Sequence, residues 1–259
     1  MPTASDTTGT VARVMTMLRA ITESPHPLGI KQIAQATGLP ASTTHRLLDL
    51  LAEGNFVQKN PATRKYGVGK DVIRIAHLVA TRSPITGFIQ PILDDLTRQT
   101  GETALFAMYV AGQHRTVYMA KSDTPAPLRF RIALNQRIDP TRTAAGLAIL
   151  ARLPAREQAQ AIAMDVAAAG STPVSGDVLA SRLARVRADH YAVSEGEELP
   201  GLVSIAVAAT LPPGTIEGAL AVAIPEVRFD RQSVPRYHRM LSAAADRLAR
   251  FDVEPREGT

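Results

Sequence analysis

Residues 30–57, IKQIAQATGLPASTTHRLLDLLAEGNFV, constrain the fold more than any other stretch of this chain. Ile33 and Ala34 mark the inward face of a short helix over about 31–37, and Gly38 follows where a left-handed C-cap is needed. Pro40, its φ already set, opens a second helix whose Leu47, Leu48 and Leu51 form a buried stripe until Gly54-Asn55 ends it. Two short helices joined by so few residues, with the small Ala34 where they cross, can pack in only a few ways.

The flanks narrow the choice. Val11, Val14, Met15, Leu18 and Ile21 recur at helical spacing, which predicts a helix over 10–23 with Thr10 as its cap and a stop at Ser24-Pro25 and His26-Pro27. After the second helix of the pair, Phe56-Val57-Gln58-Lys59 and Lys65-Tyr66-Gly67-Val68 alternate around Asn60-Pro61-Ala62-Thr63-Arg64, a strand, loop and strand. Three helices and a hairpin in that order predict a winged helix-turn-helix domain over residues 1–69. Helical spacing resumes at Val72, Ile73, Ala76 and Val79, so residues 70–84 read as a linker helix closed by Ser83-Pro84.

Charge supports a polyanion partner for the first part. Residues 1–70 hold eight Lys and Arg against four acids, whereas the remaining 189 residues carry only one of the five net positive charges. In a winged helix-turn-helix the first turn of the second helix enters the major groove. Ser42, Thr43, His45 and Arg46 fall on the side away from the leucines and are the candidate readers of base edges and phosphates. Arg64 and Lys65 at the hairpin tip, with Lys31 on the preceding helix, are candidate backbone contacts.

Residues 85–259 read as mixed α and β. Helices are expected at 87–100, 143–152, 154–164, 176–189 and 230–250, and strands at 103–110, 115–121, 128–134, 202–211 and 216–224. Two apparent hairpins, about Ala111-Gly112 and Pro212-Pro213-Gly214, favour an antiparallel sheet flanked by helices, an α+β fold. The segment 165–175 is rich in Ala, Gly and Ser and is expected to be a mobile loop.

Several chemistries are disfavoured. The chain has no cysteine, and its histidines at 26, 45, 77, 114, 190 and 238 include no pair one helical turn apart, so no metal is expected. "GVGK" at 67–70 has Arg64 where a phosphate loop needs its leading glycine and Asp71 where it needs Ser or Thr. No G-x-S-x-G occurs, and Glu195, Glu197 and Glu198 read as a solvated acidic loop. No apolar run reaches the ~18 residues of a membrane span, and the polar start MPTASDTTGT lacks the features of a signal peptide. The expectation is a cytoplasmic protein with no enzymatic activity, no cofactor and no membrane partner. Two rival readings are an architectural DNA-binding protein whose larger domain only oligomerises, and an enzyme fused to a helix-turn-helix.

The run ITESPHPLGIKQIAQATGLPASTTHRLLDLLAEGNFVQKNPATRKYGVG resembles the IclR family of bacterial transcriptional regulators. The likeness continues through LDDLTRQTGETALFAMYVAGQHRTVYMAK, DPTRTAAGLAILARLP, VRADHYAVSEGEELPGLVSIAVAAT and GTIEGALAVAIP. This resemblance implies that residues 85–259 form a GAF-like effector-binding and oligomerisation domain. It also implies homodimers or homotetramers, a palindromic DNA operator, and a small-molecule effector such as an organic or aromatic acid.

Carried over position by position, the resemblance places Ala144, Ala145 and Gly146 at a helix start whose amides would receive a carboxylate. It places Ser194 where the family usually has aspartate and Ser204 where a cysteine is common. Ala221 and Ala223 stand where the last strand often has serines. These exchanges imply a less polar pocket, so Phe106, Met119 and Phe130 are added as candidate apolar walls for a partly apolar or aromatic acid.

Overall fold

The computed structural model describes residues 9–82, 84–166, 176–211 and 216–250, which divide into two compact units, Met1–Ser83 and Pro84–Thr259.

The first unit contains α1 (Thr10–Glu23), α2 (Ile30–Thr37), α3 (Ala41–Glu53), β1 (Val57–Lys59), β2 (Tyr66–Val68) and α4 (Lys70–Arg82). Met17, Ile21, Ile33, Leu47, Leu48, Leu51, Val57 and Tyr66 form its core. Each buried aliphatic side chain there stabilises the domain by roughly 1.5–3 kcal/mol. β1 and β2 pair antiparallel from Val57↔Val68 to Lys59↔Tyr66, and Leu28 adds an isolated bridge to Tyr66 that local alternation did not signal. Thr10 does not cap α1 as expected: Gly9 is the N-cap and Thr10 is the first helical residue. Gly69 is needed for close approach, because a β-carbon there would lie 2.1 Å from the carbonyl oxygen of Asn55.

The second unit contains α5 (Pro84–Thr100), β3 (Thr103–Val110), β4 (Arg115–Ser122), β5 (Arg137–Ile138), α6 (Ala144–Leu150), α7 (Ala155–Val166), α8 (Gly176–Asp189), β6 (Ala192–Glu195), β7 (Leu202–Leu211), β8 (Ile216–Pro225) and α9 (Val234–Ala249). Six strands form one antiparallel sheet in the order β5-β4-β3-β8-β7-β6. Both faces are covered. Leu105, Ala107, Tyr118, Ala206, Ala219 and Ala221 pack with α6 and α8, while Ala104, Phe106, Ile205, Leu220 and Val222 pack with α5 and α9. Glu102 and Arg228 form a bidentate ion pair across 126 positions, with Arg228 Nε donating to Glu102 Oε1 at 2.9 Å.

Three expectations about this unit change. Residues 128–134 are not a strand: Phe130, Ile132 and Leu134 pack into the α6-side core in period-two fashion, but β5 takes the adjoining ladder positions on β4. β6 is only four residues long, too short for a periodic signal, and was not expected. The last helix begins at Val234, after 3-10 turns at Glu226–Arg228 and Arg231–Ser233. The turn expected at 212–214 lies outside the described residues, as does 167–175 of the expected loop, α7 extending to Val166.

Candidate nucleic-acid interface and ligand seat

The turn between α2 and α3 is built as its sequence requires. Gly38 sits at φ +67° as the C-cap of α2, Leu39 N–H donates to Ala34 O at 3.1 Å, and Pro40 at φ −57° leads into α3. Leu47, Leu48 and Leu51 anchor α3, and the opposite side presents Ser42, His45 and Arg46 exposed and Thr43 half-buried. His45 Nδ1 is held by Asp49 Oδ2 at 2.8 Å, which leaves Nε2 as the ring nitrogen available to a partner. Thr44 is buried, and its hydroxyl donates to Pro40 O at 3.0 Å rather than facing outward.

The wing is equally well defined. Asn60 Oδ1 accepts from the amides of Ala62 and Thr63 at 2.9 and 3.0 Å, and Arg64 takes φ +55° to close the turn. Arg64 and Lys65 are exposed at its tip, and Lys31 is exposed at the start of α2. Lys59 is committed elsewhere, its ammonium lying 5.6 Å from the centroid of the Tyr66 ring. Cations and hydroxyl donors with no apolar cover suit a phosphate backbone and base edges.

In the second unit the sheet and the start of α6 bring the remaining candidates together. Ser194 pairs across strands with Ser204, and Ser204 with Ala223, while Ala221 lies one step along the same face. Ser194 Oγ accepts from Ala144 N–H at 3.1 Å, and Thr143, the N-cap of α6, accepts from Gly146 N–H at 2.9 Å. Ser204 donates to Val222 O at 3.1 Å. This floor beneath α6 is the candidate ligand seat.

The structure corrects the reading of four positions here. The amides of Ala144 and Gly146 are not open to a carboxylate, since the hydroxyls of Ser194 and Thr143 already hold them. Phe106 is buried on the opposite face with α5 and α9, because residues of alternate parity in β3 point to opposite sides. Met119 is the extra residue of a β-bulge, where the partners of Phe106 and Ala107 jump from Ala120 to Tyr118, and it is 42% exposed. Phe130 does pack against the α6-side core, beside Gly201.

Two residues of the seat were not anticipated. Tyr118, fully buried, donates to Glu198 Oε2 at 3.0 Å and also shares a side-chain hydrogen bond with Thr143. Burial raises the Glu198 carboxyl above its ordinary range, against the opposing pull of the Tyr118 hydroxyl; burial and then Glu198 push the Tyr118 phenol well up. The expected solvated acidic loop is therefore divided: Glu195 and Glu197 face arginines, and Glu198 turns inward. A cavity of about 360 Å³ opens beside Glu198, with Ile132, Arg137, Arg142 and Leu199 in its walls. Tyr118 could have been chosen from the sequence only by knowing where the bulge falls.

An exposed helix-turn-helix with a basic wing, joined in one chain to a sheet domain, defines a DNA-binding transcriptional regulator. The family model for the IclR helix-turn-helix domain matches residues 10–61, and that for the bacterial transcriptional regulator IclR C-terminal domain matches residues 77–250. The chain belongs to the IclR family. It is similar to the probable transcriptional regulator SauR of Cupriavidus necator, 27% identical over 93% of this chain and 96% of that protein. The crystal structure of a putative IclR regulator from Silicibacter sp. TM1040 covers 93% of this chain and 94% of its own at TM-score 0.82 and 25% identity. An IclR homologue from Microbacterium hydrocarbonoxydans, solved in complex with 4-hydroxybenzoate, shares the fold at TM-score 0.71 and 16% identity, covering 93% of this chain and 99% of that one. No helix among the described residues is long and apolar enough to cross a membrane.

Proposed function

We propose that this regulator binds a palindromic operator in the cytoplasm as a homodimer or homotetramer, and that a small, partly apolar or aromatic carboxylic acid held in the seat beneath α6 modulates that binding. In this reading residues 1–69 contact DNA through Lys31, Ser42, Thr43, His45, Arg46, Arg64 and Lys65, residues 70–84 link, and residues 85–259 receive the effector. Ile73 and Val79 of α4, each 60% exposed, support a dimer seam on the linker.

The observation that carries the effector reading is the polar seat itself. The side chains of Ser194, Ser204, Thr143, Tyr118 and Glu198 gather beneath α6, each hydrogen-bonded within the chain, so a polar ligand there exchanges existing hydrogen bonds for its own. One of them, Glu198, lines a cavity whose walls join arginines to apolar side chains, a lining suited to an acid with an apolar body. The acid accepts from both the Ala144 amide and the Ser194 hydroxyl, the hydroxyl turning from acceptor to donor, and Phe130, Ala221 and Ala223 receive its apolar part. Binding shifts a pre-existing equilibrium between two spacings of the reading helices, by an amount set by its differential affinity for them.

The test is to select an operator from random duplex DNA and follow its anisotropy with 4-hydroxybenzoate and a panel of aromatic and aliphatic monocarboxylates. At least one acid should change operator affinity about fivefold or more, and Ser194→Ala should diminish that change without altering affinity in its absence. If no acid moves the affinity, the effector reading fails. If Arg46→Ala leaves affinity and its salt slope unchanged, the placement of the reading helix fails.

A further inference from the structure

Apart from the seat, the second unit has a ligand-sized cavity of about 390 Å³ at the sheet edge, beside β6. Three guanidiniums line it: Arg182 and Arg185 from α8, and Arg231 from the turn before α9. Its apolar walls include Tyr191, Phe229 and Val234, and the Tyr191 ring is braced 4.9 Å from that of His238. Asp189 and Glu195 are the acids of the lining, so the cations are in excess.

The three arginines are not equivalent. Arg231 Nη2 holds both oxygens of Glu195 at 2.8 and 2.9 Å, and Arg182 Nη2 holds Glu197 at 2.8 Å. Arg185 has no acid partner among the described residues. Exposed ion pairs of this kind contribute little, at most about 1 kcal/mol, so an incoming anion competes with Glu195 and Glu197 on nearly even terms.

Those two acids lie on the segment 194–198, whose other members, Ser194 and Glu198, belong to the seat. One short segment thus lines the arginine cavity with Glu195, reaches its Arg182 through Glu197, which itself lines the cavity beside Glu198, and supplies the seat with Ser194 and Glu198. We propose that this cavity is a second ligand site, for a small organic anion with an aromatic body, and that its occupation releases segment 194–198 and so tunes the seat. The arginines supply charge-assisted hydrogen bonds, Arg185 being the one available without displacing an acid, and Tyr191 and Phe229 supply ring contacts. The binding half stands on the cavity alone; the coupling half rests on the effector reading of the seat.

The experiment is calorimetric titration of the full chain with 2-naphthalenesulfonate, without DNA or effector, so that failure of the operator or effector reading leaves its result intact. Binding should be saturable at one site. Arg185→Gln should weaken it about tenfold or more, the scale of a lost hydrogen bond to a charged group, while Gly112→Ala, remote from both cavities, should leave it within about twofold. Exchange of the amides at 195–198 with deuterium should accelerate when the probe binds. Absence of saturable binding, or weakening by Gly112→Ala as large as that by Arg185→Gln, overturns the second site. Unchanged or slower exchange at 195–198 overturns the coupling.

Discussion

Tyr118 donates its phenolic hydrogen to Glu198 Oε2 at 3.0 Å, fastening β4 to a loop 80 positions further along the chain. Burial holds the Glu198 carboxyl above the ordinary value of 4.5, so over the range just above 4.5 the folded chain keeps a proton that the unfolded chain has released. The contribution of this group to stability is therefore greatest below that range and falls as pH rises through it. Tyr118, raised above 10, is neutral in both states at neutral pH. His238 acts in the opposite sense: burial first, then His190, lowers its range below 6.5, so it destabilises the fold as pH falls. The difference between Glu198→Gln and wild type isolates the carboxyl. Denaturant unfolding between about pH 5 and pH 8 should show the variant gaining stability relative to wild type as pH rises; parallel curves would show that Glu198 is not held above its ordinary range.

Gly146 is fixed by backbone rather than by ligand. A β-carbon at this position would lie 2.2 Å from the carbonyl oxygen of Pro140, deep in the core beside α6. Gly146→Ala should destabilise the chain by about 2 kcal/mol or more. Gly112→Ala, where a β-carbon meets nothing within 4 Å, should have little effect, and thermal unfolding of the two variants makes the comparison. Loss of effector response in Gly146 variants would then report folding, which makes Ser194→Ala the cleaner probe of the seat.

Thr44 separates packing from reading within a single helical turn. Its hydroxyl donates to Pro40 O, a carbonyl that also accepts from Thr44 N–H at 2.9 Å, so removing the hydroxyl leaves that acceptor satisfied. Thr44→Val should cost less than about 1.5 kcal/mol and leave the selected operator sequence unchanged. A changed base preference, measured by repeating the selection, would show Thr44 facing DNA.

The wing tip should act through charge. Arg64 and Lys65 are exposed, and removing either leaves the turn held by Asn60. Arg64→Ala and Lys65→Ala should each reduce the slope of log affinity against log salt by about one and shift stability by no more than about 0.5 kcal/mol. Equal slopes in wild type and both variants would place the wing away from the phosphates.

The sequence by itself determined the first unit almost entirely. Its signals are local: leucines at helical spacing, a glycine where φ must be +67°, a proline at the head of α3, and a turn opened by Asn60-Pro61 between two short alternating runs. Each is decided within a few residues, so the structure adds only the Leu28 bridge and the true cap of α1. The two hairpins of long strands in the second unit, β3 with β4 and β7 with β8, were equally legible, but the β3–β8 pairing that joins them into one sheet was not. Which side of the sheet each residue faces was not. Both faces are buried and apolar, so Leu105 and Phe106 look alike to a hydropathy pattern, and the bulge at Met119 reverses the parity of β4 in mid-strand. Only the tertiary structure decided that Tyr118 meets Glu198, that Ser194 holds the Ala144 amide, and that an acidic loop divides between a buried seat and a row of arginines. Contacts spanning 50 and 80 positions are selected by the packing of whole layers, which no local pattern carries.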